Sequence, residues 1–314
     1  METALQYFYE TALAGSMTLA SEKLGVAPSS ISRQVAHLEA QLGIALIERG
    51  RRSIKLTEAG ELAFKYYQDH VSSLDAFRSN IDDLRGIRTG VVTIALGEGF
   101  LTPTFARFLK EFSALHPNVE VVVRVGGTSE IVRMILDDEA HLGLVLQFPP
   151  EPKIRIRASA TQPLVAILHP SHPLADQAFV TLEDLSAHSL CLGPKGFRIR
   201  QFIMSAEIAE SVTLKPIITT NSLLMMKQLV ATGTMVTVLP ALAGAAEMES
   251  GELIARPILS SKIEVPTISL ITRLGRQLPA APAHLLLRLE TQMRSWDQEA
   301  QRMLSSLKKA DETA

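Results

Sequence analysis

The first 43 residues carry apolar side chains at helical spacing, interrupted by three glycines. Gly15 separates a first helix from a second over residues 18–24, and Ser16 is placed to cap that second helix. A third helix starts at Pro28, a residue suited to the first helical position, and Gly43 closes it. The third helix has an apolar stripe that predicts its buried face: Ile31, Val35, Leu38 and Leu42.

Residues 44–56 alternate between apolar and polar positions around a tight basic turn at 49–52, which predicts a hairpin wing behind the third helix. Thr57 then caps a long helix that is expected to run to about Arg88. An apolar stripe on this helix favours self-association through a partner helix, with packing against the following domain as the alternative. The predicted dimerisation residues are Tyr67, Leu74, Phe77, Ile81 and Leu84.

From Val91 onward, near-continuous apolar strands alternate with helices, a pattern typical of a parallel sheet that is covered on both faces. The rhythm restarts at Leu164, which predicts two α/β lobes with a cleft between them. The predicted domains are 1–60 (winged helix-turn-helix), 61–89 (linker helix and hinge), 90–295 (lobe 1 about 90–161 and 267–295, lobe 2 about 162–266) and 296–314 (a polar tail).

The overall charge of the 314 residues is −2, so a nucleic-acid interface would have to concentrate cations locally. Residues 23–55 do so, with only Glu39 and Glu48 as acids. The cations of this segment are Lys23, Arg33, Arg49, Arg51, Arg52 and Lys55. Two short helices, a tight turn and a basic hairpin together predict a helix that enters a DNA major groove while cations contact phosphates.

Cys191 is the only cysteine, which excludes an intrachain disulfide and fits a reducing cytoplasm. The N-terminus does not have the pattern of a signal peptide, and no apolar run is long enough to span a bilayer. His169 and His172 flank Pro170, which indicates a turn rather than a metal site. We therefore expect a cytoplasmic protein that associates with the nucleoid and not with the membrane, and that has neither metal ligands nor catalytic residues.

The chain resembles the LysR-type transcriptional regulators over about its first 295 residues. The most specific matches lie in the winged-helix segment: Gly15, Ser16, Leu24, Val26, Ser29 to Val35, Leu38, Glu39, Leu46, Arg49, Arg52, Leu56, Thr57, Ala59 and Gly60. Weaker matches follow in order, among them Pro103, Pro117, His172 to Ala175, Gly233 and Pro240. Departures from the family pattern include Pro28 where glutamine is frequent, His141 where aspartate is usual, and Met235 near the cleft where glycine is usual.

The resemblance implies a DNA-binding domain followed by a two-lobed α/β domain like the type 2 periplasmic binding proteins. It also implies a homodimer or a dimer of dimers on double-stranded DNA with a dyad-symmetric operator, and RNA polymerase as a further candidate partner. The candidate DNA contacts are Ser29, Ser30, Arg33, Gln34, His37, Arg49, Arg51, Arg52 and Lys55. Helix capping is the alternative role for each serine, and plain solvation is the alternative for the wing cations.

Ligands of such folds lie at the carboxyl ends of the strands. The candidate effector-binding residues are Gly97, Glu98, Gly99, Phe100, Thr128, Ser129, Gln147, Phe197, Arg198, Thr220 and Asn221. Helix starts at Thr102, Ser129 and Ser222 offer N–H groups to an anion, and Arg198 suits a carboxylate. Glu98 would repel an anion unless Arg198 neutralises it, or would hold an amine, so the expected effector is a carboxylate or amino-acid-like metabolite and no other cofactor is needed.

The leading interpretation is a sequence-specific transcriptional regulator whose DNA binding or bending responds to a small molecule between two lobes. Three alternatives remain open on sequence alone. They are an enzyme fused to a DNA-binding domain, a solute-binding module in the same arrangement, and a DNA-binding protein that never binds an effector. The absence of a phosphate-binding loop, a nucleophile elbow and a zinc motif argues against the enzyme.

Overall fold

The computed structural model describes residues 1–48, 54–84, 89–260 and 262–311. It divides into two compact units, Met1–Ile87 with Gly275–Ala280, and Arg88–Leu274 with Ala281–Ala314. The helices of the first unit are α1 (Glu2–Ala14), α2 (Met17–Leu24), α3 (Pro28–Leu42) and α4 (Glu58–Leu84). No helix in the described ranges is long and apolar enough to cross a membrane.

The predicted helix-turn-helix forms as expected. Gly15, Gly25 and Gly43 end the first three helices in the left-handed conformation that glycine adopts without strain. Ser16 caps α2 by accepting a hydrogen bond from the Leu19 amide at 3.5 Å. The buried core of this unit draws on all four helices and on the first strand of the wing: Ala4, Leu5, Phe8, Tyr9, Ala20, Ile31, Val35, Leu38, Leu46 and Tyr67.

Backbone contacts fix the base of the wing to α3 and α4. Glu39 Oε1 accepts hydrogen bonds from the amides of Leu46 (2.7 Å) and Ile47 (3.1 Å). Thr57 caps α4 through the Gly60 amide at 3.1 Å. A Cβ atom at Gly60 would lie 2.1 Å from the Leu46 carbonyl oxygen, so only glycine fits this close approach. The tip of the wing, including Arg49, Arg51 and Arg52, lies outside the described residues.

The second unit contains two lobes: lobe 1 is built around a five-stranded sheet, and lobe 2 contains a three-stranded and a two-stranded sheet. Its strands are β1 (Gly90–Leu96), β2 (Val119–Val125), β3 (Leu142–Leu146), β4 (Ile154–Thr161), β5 (Leu164–Leu168), β6 (Leu190–Leu192), β7 (Pro216–Thr219), β8 (Thr237–Pro240), β9 (Ile254–Pro257) and β10 (Thr267–Arg273). Its helices are α5 (Pro103–Leu115), α6 (Thr128–Leu136), α7 (Leu182–Ser186), α8 (Arg198–Glu210), α9 (Leu223–Ala231), α10 (Ala245–Ser250) and α11 (Ala280–Asp311).

The expectation of parallel sheets is only partly correct. In lobe 1 the strand order is β2-β1-β3-β10-β4, and β10 runs antiparallel to both of its neighbours. In lobe 2, β5 pairs antiparallel with β8 and β9, while β6 and β7 are parallel. Strands β4 and β9 are absent from the sequence-based assignment, because neither has the continuous burial that the assignment relied on.

The last helix, α11, continues past residue 296 into the segment that was predicted to be a polar tail, and it is described as far as Asp311. Trp296 and Ala300 are buried on its inner face. The Asp297 carboxylate accepts a hydrogen bond from the Thr161 amide at 2.7 Å, at the point where the chain leaves lobe 1. The start of the predicted tail is therefore part of the second unit.

Candidate DNA interface and effector cleft

The exposed face of α3 lies opposite its buried stripe of Ile31, Val35 and Leu38. Leu42, the fourth predicted member of that stripe, is instead 46% exposed at the last residue of the helix. Of the predicted DNA contacts, Ser29, Arg33 and His37 are exposed on this face, whereas Ser30 and Gln34 are half-buried at its edge. Ser32 is equally exposed and is missing from the predicted set. The sequence position of Ser32 could have identified it, because residues three apart, such as Ser29 and Ser32, are neighbours on the surface of a helix.

The N-terminus of α3 has no side-chain cap, because its N-cap position is Ala27. Pro28 follows at the first helical position and has no N–H, so the positive end of the helix lies at residues 27–30. Such an end, when exposed, is suited to a phosphate group.

Two cations of the basic segment have different surroundings. Lys55 is exposed in the described part of the wing. Lys23 forms an ion pair with Glu10 at 2.7 Å and is therefore partly neutralised. The other described cations of the segment are Arg33 on α3 and Lys55 in the wing, and both are exposed.

The predicted dimerisation stripe on α4 has two kinds of members. Tyr67 is buried inside its own unit, with its ring 5.2 Å from that of Tyr9. Phe77 is 61% exposed and Leu74 is also exposed, while Ile81 is half-buried and the side chain of Leu84 is outside the described set. Tyr66, which is 63% exposed, and Leu62 extend the exposed apolar face of α4 towards its N-terminus.

A cavity of about 310 Å³ opens between the two lobes, at the carboxyl ends of β1, β2 and β3. Eight of the eleven predicted effector-binding residues line it: Gly97, Glu98, Gly99, Phe100, Thr128, Phe197, Arg198 and Asn221. Most of the remaining wall is apolar: Val125, Ile131, Val145, Leu146, Ile199, Leu223, Pro240, Leu242, Ala243 and Ile268. The lining also includes Gly126, Gly127 and Gln162, which the sequence analysis missed.

Three predicted residues do not line the cavity. Ser129 is exposed on the outer side of the first turn of α6. Gln147 adopts φ of 38° and accepts a hydrogen bond from the Thr267 amide at 3.3 Å, so it links β3 to β10. Thr220 Oγ1 accepts a hydrogen bond from the Ser222 amide at 3.2 Å. The latter two side chains stabilise the backbone near the cleft rather than facing into it.

Glu98 forms no ion pair with Arg198 among the described residues, and most of its capacity to accept hydrogen bonds is already used. Its carboxylate accepts hydrogen bonds from Ser222 Oγ (3.1 Å) and from the amides of Leu223 (3.0 Å) and Leu224 (3.0 Å). The start of α9, which we expected to be open to a ligand anion, is therefore already filled. The helix start at Thr102 is likewise satisfied, because Thr102 Oγ1 accepts from the Phe105 amide at 3.2 Å.

Arg198 supplies positive charge to the cavity wall. One guanidinium nitrogen, Nη1, donates to Gln201 Oε1 at 2.9 Å, and the group lies 5.1 Å from the centre of the Phe202 ring. Its Nε is buried and makes no hydrogen bond with any described residue. Helices α6 and α8 both start at this cavity, and their N-cap residues Gly127 and Phe197 give no side-chain cap. These features make this side of the cleft suited to an anion.

Gln162 lies where the chain passes from lobe 1 to lobe 2. It is buried. Its backbone N–H donates to the Pro266 carbonyl at 2.8 Å, and its side-chain Oε1 accepts from the backbone N–H of Leu242 at 3.2 Å. Both connections between the lobes, at 161–164 and 258–267, therefore meet at one residue of the cavity wall. Its position just before the predicted strand at Leu164 gave no sign of this role in the sequence.

Two departures from the family pattern lie away from the cavity. Met235 is buried in lobe 2 and does not line the cavity, although the sequence analysis placed it near the cleft. His141 Nδ1 accepts a hydrogen bond from the Thr93 amide at 3.0 Å within lobe 1. Both are packing features rather than ligand contacts.

The remaining candidate groups have structural roles. His169 Nδ1 accepts from the Ser171 amide at 3.1 Å, and His172 Nδ1 accepts from the Leu174 amide at 3.2 Å, as in a turn. Burial and the neighbouring His188 lower the pKa of His172. Cys191 is buried, and its burial raises the pKa of the thiol, which favours the unreactive form. Within the described residues, no three His, Cys, Asp or Glu side chains form a group that could hold a metal ion.

A helix-turn-helix with a wing, followed by a two-lobed domain with a cavity between the lobes, defines a DNA-binding transcriptional regulator that carries an effector-binding domain. Residues 3–61 match the model of the bacterial regulatory helix-turn-helix proteins of the lysR family. Residues 85–294 match the model of the LysR substrate binding domain. The chain belongs to the LysR family, a family of transcriptional regulators rather than of enzymes.

Individual relatives agree over most of the chain. It is 29% identical over 281 residues to the transcriptional dual regulator GltC of Bacillus subtilis, covering 87% of this chain and 91% of that protein. It is 26% identical over 262 residues to the HTH-type transcriptional regulator CfxR of Cupriavidus necator, covering 83% and 82%. The crystal structure of CbnR, a LysR family transcriptional regulator, aligns with a TM-score of 0.54 at 26% identity and covers 92% of this chain and 99% of that one.

Proposed function

We propose that α3 enters the major groove of a dyad-symmetric operator and reads base edges with Arg33, supported by Ser29 and Ser32. The observation that carries this proposal is the exposed polar face of α3, opposite the buried residues Ile31, Val35 and Leu38. An arginine on such a face is suited to a two-pronged contact with guanine. His37, Ser30 and Gln34 lie at the margins of the face, where phosphates and neighbouring side chains are the nearer partners.

Phosphate contacts come from three places in this proposal. The start of α3 has no side-chain cap at Ala27 and can offer the backbone N–H of Ser29 to one phosphate. Lys55 is exposed at the base of the wing. Arg49, Arg51 and Arg52 lie outside the described residues and are assigned to phosphate or minor-groove contact from the sequence alone.

Self-association through α4 would supply the second half of the operator contact. Its exposed apolar residues Leu62, Tyr66, Leu74 and Phe77 recur at intervals of three, four or eight residues along one helix, a spacing that suits a helix–helix seam. A dimer would present two α3 helices to half-sites about one DNA turn apart, or a multiple of that, and a dimer of dimers would present four. Such a protein acts in the cytoplasm at the nucleoid, with RNA polymerase as a partner when the operator adjoins a promoter.

The effector that fits the cleft best is a small, largely apolar molecule with one acidic group. The cavity is roughly twice the size of one that admits benzene, which suits a single ring or a short chain. Its walls are mainly aliphatic and aromatic, and its cationic side carries Arg198 and the starts of α6 and α8. An amino group is not required, because the Glu98 carboxylate already accepts three hydrogen bonds.

Two single substitutions test the assignment on DNA. Genome-wide mapping of bound DNA first defines the operator, and fluorescence anisotropy at fixed salt then compares operator with random DNA of equal length. Arg33→Ala should reduce the preference for operator by about 1–3 kcal/mol. Lys55→Ala, the matched control, should weaken both DNAs alike and lower the salt slope by about one. Equal operator-to-random ratios in the two variants would refute the division of roles.

The effector proposal has its own test. A panel of aromatic and short-chain monocarboxylates is screened by thermal unfolding of the full chain, since a ligand of the folded state raises the melting temperature. Each responding acid is compared with its neutral amide, and wild type with Arg198→Met. The acid alone should stabilise the wild type, and the variant should lose that response; acids and amides acting alike would contradict the anion assignment.

A further inference from the structure

The carboxylate of Glu98 crosses the cleft. Glu98 follows β1 of lobe 1, whereas its three hydrogen-bond donors belong to the start of α9 in lobe 2: Ser222 Oγ, Leu223 N and Leu224 N, at 3.0–3.1 Å. The contact joins residues 124–126 positions apart in the chain. A single side chain thus links the two lobes directly at the cavity wall.

The three donors are those with which a helix start binds a free anion. The first N–H groups of a helix have no partner within the helix, and the helix dipole favours negative charge at that end. Ser222 is also the N-cap of α9, and its Oγ accepts from the Met225 amide at 3.3 Å. Glu98 completes this arrangement with a charge supplied from the opposite lobe.

The neighbouring backbone keeps Glu98 in place. Gly99 lies so close to lobe 2 that a Cβ atom there would be 3.3 Å from Leu223 Cδ1 and 3.6 Å from Ala243 Cβ. Phe100, the next residue, is buried, and its ring centre lies 6.3 Å from that of Trp296 on α11. The short 3-10 turn Glu98–Phe100 is thereby packed against lobe 2 and α11, which limits where the carboxylate can reach.

We propose that Glu98 is a specificity-determining residue of the cleft, a tethered carboxylate that fills the anion position at the start of α9 and links the two lobes. A ligand's acid group is thereby excluded from α9 and directed to the side of Arg198. The statement about the ligand rests on the proposed function, whereas the filled anion position does not. A monoanion is therefore accepted in preference to a dianion that would need both positions.

Removal of the tethered carboxylate should create a site for a free one. Full-length Glu98→Ala is unfolded thermally in sodium chloride and in sodium acetate or formate at equal ionic strength. Loss of three charge-assisted hydrogen bonds should lower the melting temperature by roughly 5 °C. Acetate or formate at about 100 mM should restore at least half of that loss in the variant and should leave the wild type unchanged.

Two variants serve as controls. Glu98→Gln fills the same volume without the charge, so it should be destabilised but should not respond to acetate. Glu151→Ala removes a carboxylate that accepts only the local Lys153 amide at 3.0 Å, so it should show no acetate response. Glu98→Gln also keeps the test decisive if Glu98→Ala fails to fold, because an unchanged melting temperature in Glu98→Gln would overturn the proposal.

The proposal is equally overturned if acetate shifts wild type and Glu98→Ala by the same amount, or shifts neither. These measurements use no DNA and no effector. Their failure would leave the operator and effector assignments intact, and failure of those assignments in the anisotropy and panel experiments would leave the filled anion position intact.

Discussion

The substitution Glu39→Ala tests whether the Glu39 side chain stabilises the wing without contributing to sequence-specific DNA binding. Glu39 lies on α3, but its side chain points away from the exposed face, and its Oε1 accepts from the amides of Leu46 (2.7 Å) and Ile47 (3.1 Å). Those two amides begin the wing, and Ile47 pairs with Leu56 across it. The variant should therefore loosen the wing without altering any group that faces the groove.

The expected magnitude follows from the two amides. A buried donor that loses its partner costs about 1–3 kcal/mol, and these two bonds are only partly buried, so water recovers part of the loss. The total should be about 2–3 kcal/mol. Glu39→Gln keeps the acceptor oxygen and loses only its charge, and because charge-assisted bonds are roughly twice as strong as neutral ones, it should cost about 1 kcal/mol.

Amide hydrogen exchange of the full-length chain measures this loss of local stability in the wing. Exchange in a peptide covering residues 44–48 should accelerate about 30- to 150-fold in Glu39→Ala and about fivefold in Glu39→Gln, since 1.4 kcal/mol corresponds to a factor of ten. Glu22→Ala, an exposed carboxylate on α2, is the matched control and should leave that peptide unchanged. Unchanged exchange in Glu39→Ala, or a loss of operator preference at normal exchange, would refute the assigned role.

Four further outcomes follow. Gly60→Ala puts a methyl group 2.1 Å from the Leu46 oxygen, so the urea midpoint of the first unit should fall by the equivalent of about 3 kcal/mol, and a normal midpoint would contradict the packing. Phe77→Glu should halve the mass seen in light scattering; an unchanged mass would rule out α4 as the seam. His172 has a lowered pKa, so its contribution to stability is present above about pH 6.5 and is lost as the pH falls. In His172→Asn, the free energy of unfolding should therefore depend less on pH in that range. If the curves of unfolding free energy against pH were parallel for wild type and variant, this role of His172 would be contradicted. Trp296 is the only tryptophan, is 4% exposed and lies beside Phe100, which lines the cavity. An acid that raises the melting temperature should therefore also change the fluorescence emission of Trp296. Unchanged emission at a saturating concentration would place that ligand elsewhere.

Local rules predicted the first unit well because its structure is fixed by neighbours in sequence. Glycine at three helix ends, Pro28 at a helix start and Thr57 as a cap each act within a few residues. The stripe on α3 follows from helical periodicity alone. The same locality explains why α4 was placed correctly while Tyr67 was assigned to the wrong face: its partner is Tyr9, on a helix nearly sixty residues earlier.

The relative directions of the strands were predicted only in part, for a related reason. A continuous apolar run shows that a strand is buried, but it does not show which way its neighbour runs. Strand β10 returns to lobe 1 after more than a hundred residues and inserts between β3 and β4. Strand β4 sits at the edge of the sheet with an irregular burial pattern, so neither periodicity nor composition marks it.

For the effector cleft, the sequence predicts which residues line the site better than it predicts how their charges are partnered. Strand ends and glycine turns located eight of the eleven predicted residues, because the carboxyl ends of neighbouring parallel strands must meet. The electrical character of the site depends instead on partners, and Glu98 is the clearest case. As an isolated acid in a glycine turn it predicts repulsion of an anion or attraction of an amine. In the folded chain its partner is the start of α9, and Arg198 is left without a carboxylate partner from Glu98. The ligand preference that we propose therefore depends on a contact across more than a hundred residues, which only the folded chain reveals.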